Sequence, residues 1–97
     1  MTPPPLSLHT TLRYERLARD LLKSHPEFRA LQERAFEILT TDPYNRTRAH
    51  NIKKLVAVPP GEGQWRLSLA RFRFRYDIYG TEVAVHYCGL RRETIYR

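Results

Sequence analysis

The sequence predicts an α+β fold in which a two-helix hairpin packs on one face of a small, mainly antiparallel four-stranded sheet. Two stretches in the first half place apolar residues at helical spacing, and the second half alternates apolar and polar residues with the period of a strand. Short turn signals separate the alternating runs. At 97 residues the chain makes a single domain, residues 1–97, with a core that is sufficient but not generous.

Residues 1–5 carry three consecutive prolines, which lack backbone donors, and read as a tail. Residues 6–10 fit a short edge strand. Thr10 or Thr11 then caps a helix reaching about Ser24, with Tyr14, Leu17, Ala18, Leu21 and Leu22 on one face. His25-Pro26 ends it, because the residue before a proline is pushed out of the helical region. A second helix runs from about Pro26 to Leu39 and aligns Phe28, Leu31, Ala35, Ile38 and Leu39. The polar stretch after it contains the turn signal Asp42-Pro43 and leads through Arg46, Arg48, Lys53 and Lys54 to the apolar run at residues 55–58. Residues 59–63, Pro-Pro-Gly-Glu-Gly, form a loop by composition.

Three patterned strands follow. Trp65, Leu67 and Leu69 alternate with Arg66 and Ser68; Phe72, Phe74, Tyr76 and Ile78 alternate with Arg71, Arg73, Arg75 and Asp77; Val83, Val85 and Tyr87 alternate with Ala84, His86 and Cys88. A two-residue Gly-X loop at Gly80-Thr81 pairs Tyr79 with Glu82, Asp77 with Ala84, Arg75 with His86 and Arg73 with Cys88. A tight turn at Ala70-Arg71 pairs Leu69 with Phe72, Leu67 with Phe74 and Trp65 with Tyr76. Residues 93–96 fit one more strand or an extended tail. The helices cover the apolar face, on which parity also places Tyr87, and the other face carries Arg66, Arg75 and His86 in one row and Ser68, Arg73 and Cys88 in the next. Facing arginines repel by a few tenths to about 1 kcal/mol per pair, which a polyanion offsets; Arg91 and Arg92 add to the same charge.

With 17 Lys and Arg against 10 Asp and Glu, the net charge is +7, which suits nucleic acid, a membrane surface or an acidic protein. No apolar run approaches the roughly 20 residues that span a bilayer, and no signal peptide is evident, so the expected compartment is the cytoplasm. Cys88 is the single cysteine, which rules out an internal disulfide or a multi-cysteine zinc site and leaves it as a small residue of the sheet. His9, His25 and His50 fall in separate segments without metal-ligand spacing, and no Gly-rich phosphate loop is present, so neither metal nor cofactor is expected.

Asn51-Ile52-Lys53-Lys54-Leu55, the pair Trp65-Arg66-Leu67-Ser68-Leu69 and Phe72-Arg73-Phe74-Arg75-Tyr76, and the ending Gly89-Leu90-Arg91-Arg92-Glu93-Thr94-Ile95-Tyr96-Arg97 resemble the RelE/ParE toxin superfamily. The resemblance spans nearly the whole chain, since the helical hairpin precedes these segments in the family's order. It implies a toxin of a type II toxin-antitoxin pair, with a RelE-like fold, neutralised by a small acidic antitoxin. RelE-like members cut mRNA on the ribosome, whereas ParE-like members inhibit DNA gyrase, and the shared scaffold does not separate the two. A third reading is a non-toxic interaction module of the same fold.

For an endoribonuclease, an mRNA interferase, the resemblance carries catalytic roles onto Arg66, Arg73, Arg91 and Tyr96. Ser68 stands where the family pattern offers a second basic group, and Leu90 where many members have histidine. Lys53, Lys54, Arg75 and His86 are the expected substrate-binding residues, His86 being the group whose residue type titrates nearest neutrality. Tyr96 is expected either to take part in proton transfer or to stack on a base.

Overall fold

In the computed structural model, which describes residues 6–91, the elements run β1 (Ser7–Thr10), α1 (Leu12–Ser24), α2 (Phe28–Thr41), β2 (Ile52–Lys54), β3 (Trp65–Leu69), β4 (Phe72–Tyr79) and β5 (Glu82–Leu90). Thr11 caps α1 as expected, its hydroxyl accepting from the Tyr14 amide at 3.1 Å. α2 begins at Phe28, not at Pro26, because His25, Pro26 and Glu27 are used in a turn closed by the Phe28 amide on the His25 carbonyl at 2.9 Å.

The sheet has five strands in the order β1-β5-β4-β3-β2, and it is mixed: β1 runs parallel to β5 while the other pairs are antiparallel. The four-stranded expectation is thereby corrected. The additional strand is β2, whose three residues are too short to display an alternation. Both helices lie over one face, where Tyr14, Phe28, Ala35, Leu39, Leu67, Phe72, Phe74, Tyr76, Val83, Val85 and Cys88 form the core. Phe28 stacks on Phe74 at 5.8 Å and meets Phe72 edge-on at 5.1 Å, which locks the start of α2 to the centre of the sheet.

The β3–β4 register is the expected one, Trp65 opposite Tyr76 through Leu69 opposite Phe72. Its two-residue turn works because Ala70 takes φ 55°, the same role that Gly80 plays at φ 59° in the next turn. The β4–β5 register starts as expected, with Tyr79 opposite Glu82 and Asp77 opposite Ala84, and then slips. Tyr76 pairs with Val85 but Arg75 pairs with Tyr87, leaving His86 as the extra residue of a β-bulge. Two expectations change with it. Arg73 faces Gly89 instead of Cys88, and the two residues beyond the bulge exchange faces: Cys88 enters the core opposite Phe74, while Tyr87 joins the arginine side.

Among the described residues, no helix is long and apolar enough to cross a membrane. The proline tail and the segment carrying Arg92 and Tyr96 lie outside the described residues.

Candidate nucleic-acid interface

Strand alternation sends every second side chain of β2, β3 and β4 away from the helices. The resulting face carries the row Lys53, Arg66, Arg75, Tyr87 and, beside it, the row Ser68, Arg73, Gly89. Arg91 follows directly after β5, its amide donating to the Arg71 carbonyl at 2.6 Å. These cations are close enough to act on one another. The Arg66 guanidinium is pulled below its usual range, first by burial and then by the charges of Arg73, Arg91 and Arg75. Beneath them the Arg73 Nε is buried and without a hydrogen-bond partner among the described residues, a donor whose desolvation an anion's oxygen would offset.

Asp77 organises the adjoining end of this face. Its side chain is 1% exposed and accepts backbone N–H donors from Gly61 at 2.8 Å, Gly63 at 3.1 Å and Gln64 at 2.9 Å. Burial pushes its carboxyl up, but the donors from Gln64, Gly61 and Gly63, with the nearby His86, outweigh burial and hold it below the usual carboxylate range. The loop thus tied down passes over β4 so closely that a Cβ on Gly63, at φ +86°, would stand 2.7 Å from the Arg75 Cβ. The Gly63 carbonyl in turn accepts from the Arg75 Nε at 3.1 Å, fixing that guanidinium along the sheet. His86 brings Nε2 to 3.0 Å from Asp77 Oδ2, out of line for a hydrogen bond.

Of the sequence-predicted site residues, the structure gathers Arg66, Arg73, Arg75, Arg91 and Lys53 on one side of the sheet. His86 borders them but is engaged with Asp77. Lys54 alternates to the other side, with its Nζ 5.4 Å from the centre of the Trp65 ring. Tyr96 lies outside the described residues. Two residues that shape this face were given no role from the sequence. Tyr87, with the Arg13 guanidinium 5.5 Å from its ring centre, was concealed by the bulge. Asp77 had a legible signal, a lone carboxylate in phase with three arginines and preceded by a Gly-rich loop.

On this face Arg66, Arg73, Arg75 and Tyr87 are half-buried and Lys53 and Arg91 are exposed. Concave spaces of about 300 and 420 Å³ lie elsewhere, one against α1 and α2 near Tyr14 and Phe36, the other near Ile38 and His50. Comparison with models of protein families, with curated proteins and with solved structures returns no match.

Proposed function

We propose that the chain is the toxin of a type II toxin-antitoxin pair, a ribosome-dependent endoribonuclease that cuts mRNA in the cytoplasm without a metal. The observation that carries this reading is the convergence of Arg66, Arg73, Arg75 and Arg91 on the sheet face away from the helices. RNA cleavage of this kind requires a ribose 2′-hydroxyl to lose its proton, attack the adjacent phosphorus and expel the 5′-oxygen through a pentacoordinate species rich in negative charge. Fixed guanidinium groups suit that species, because donors organised in advance around developing charge need little rearrangement as it forms.

In this reading Arg73 and Arg91 clamp the reacting phosphate, and Arg66, Arg75 and Lys53 hold the flanking backbone. Tyr96, which the family resemblance makes catalytic, takes a proton-transfer role in this reading. His86, engaged with Asp77 through Nε2, offers Nδ1 as a second proton carrier. The antitoxin is a small acidic protein attracted by the same charge.

The test is to induce the chain in cells and map transcript 5′ ends. Codon-positioned cuts that disappear with Arg73→Ala support the reading; growth arrest with intact transcripts would reject it. Relaxed plasmid DNA in such arrested cells would instead favour gyrase inhibition, the alternative that Ser68 motivates.

A further inference from the structure

At the β2 edge, on the side of the sheet away from the arginines, residues 42–50 form a loop held rigid by its own side chains. The Asp42 carboxylate accepts from the amides of Arg46 at 2.7 Å and Thr47 at 3.2 Å and from the Thr47 hydroxyl at 2.6 Å. Asn45 donates to the His50 carbonyl at 2.9 Å and accepts from the His50 amide at 3.1 Å. The buried Tyr76 hydroxyl donates to the Pro43 carbonyl at 2.7 Å, anchoring the loop to the sheet. Together these bonds set Tyr44 against Trp65, edge to face, with ring centres 5.4 Å apart at 88°. Arg46 stands 4.9 Å from the centre of the Tyr44 ring and Lys54 stands 5.4 Å from that of Trp65. Tyr44 is 41% exposed, and Arg46, Arg48 and Lys54 are exposed around it.

We propose that Tyr44 and Trp65, flanked by Arg46 and Lys54, form a stacking platform for the bases of single-stranded RNA passing to or from the arginine face. An exposed aromatic ring beside cations holds single strands by base stacking together with attraction to the backbone; Tyr44 is that ring, and the half-buried Trp65, itself stacked on Tyr76 at 6.5 Å, braces it from the core side. Here the rings are already ordered by the loop, so little conformational freedom is lost on binding. The Asp42 carboxylate is turned onto the Arg46 and Thr47 amides, and among the described residues no salt bridge engages Arg46 or Lys54. Lys53 and Lys54 connect the two surfaces, because adjacent residues of the edge strand β2 point to opposite faces. A sugar-phosphate backbone rounding that edge meets Lys53 beside Arg66 and then Lys54 beside Trp65. The identity of the polymer rests on the reading under Proposed function; the platform itself rests on separate residues.

Trp65 is the single tryptophan of the chain, so its emission reports on the platform directly. The full chain is titrated with an oligouridylate of roughly 8 nucleotides, within the site sizes of single-strand binders, and in parallel with heparin and with duplex RNA. The expected result is quenching by the oligouridylate alone. Tyr44→Ala then weakens oligouridylate binding about 5- to 150-fold, the range of one lost stacked base, while Tyr44→Phe, which keeps the ring, restores it. Absence of quenching, equal quenching by heparin, or wild-type affinity in a folded Tyr44→Ala protein would overturn the platform. Cleaved transcripts in cells without Trp65 quenching would overturn the platform and leave the ribonuclease standing; quenching with intact transcripts would support the platform and reject the ribonuclease.

Discussion

Arg66 stands directly across the β3–β4 ladder from Arg75, with Lys53 on its other flank. A row of three cations opposes folding, at a cost of up to about 1 kcal/mol for each facing pair. Arg66→Gln relieves both facing pairs and is expected to raise the melting temperature at low salt, by no more than roughly 8–16 °C for a domain of this size, while weakening retention on heparin. Thermal melts and elution salt measure the two effects. A lowered melting temperature with unchanged retention would show that the guanidinium serves packing instead.

Asp77→Ala removes the acceptor shared by the amides of Gly61, Gly63 and Gln64. Buried donors left unpaired cost about 1–3 kcal/mol each where water cannot replace the partner. The expected result is a clear fall in the urea midpoint, with hydrogen exchange accelerating first at those three amides. Exchange that accelerates equally throughout the sheet would contradict a local clamp.

Acid should unfold the protein through two carboxylates. Burial raises the affinity of Asp77 and Asp42 for a proton, yet hydrogen bonds from the Gln64, Gly61 and Gly63 amides in one case, and from Thr47 and Arg46 in the other, with nearby histidines, hold both below the usual range. A folded-state value below the unfolded one, about 3.9 for aspartate, gives stability that is full above the unfolded value and is lost as pH falls through the folded one. Urea midpoints are therefore expected to drop below about pH 4, and Asp77→Asn and Asp42→Asn each to flatten that limb. A limb of unchanged steepness in both variants would place the acid sensitivity elsewhere.

Cys88 is 1% exposed, and burial pushes its thiol up to about 12, with only partial relief from the Tyr14 hydroxyl. At neutral pH it carries almost no thiolate, the reactive form. Iodoacetamide is expected to label the native protein no faster than it unfolds and the urea-denatured protein at once. Rapid native labelling would contradict its place in the core.

Much of the fold was legible because alternation is a strong signal wherever one face is buried. Leu67, Phe74 and Val85 announced the core side of β3, β4 and β5, and the Ala70-Arg71 and Gly80-Thr81 turns fixed where each register begins. The bulge was not legible. Nothing around His86 marks it, since no glycine stands there, and the slip brings the His86 ring to the Asp77 carboxylate, a tertiary contact that sequence spacing does not express. β2 was missed as a strand because three residues, Ile52, Lys53 and Lys54, are too few to establish a period. The candidate site followed the same division: Arg66, Arg73, Arg75 and Asp77 were placed by parity, whereas the place of Tyr87 needed the bulge, and the clamping role of Asp77 needed the loop from Gly61 to Gln64 folded over it.

Incubating the purified chain with ribosomes translating a defined mRNA separates a phosphodiester-cutting arginine face from a merely basic one. Cleavage is expected with chelator present, giving 5′-hydroxyl and cyclic 2′,3′-phosphate ends, and is expected to vanish with Arg73→Ala while the variant still melts cooperatively. Intact mRNA with the wild-type chain, or undiminished cutting by Arg73→Ala, would show that the gathered guanidinium groups serve some other purpose.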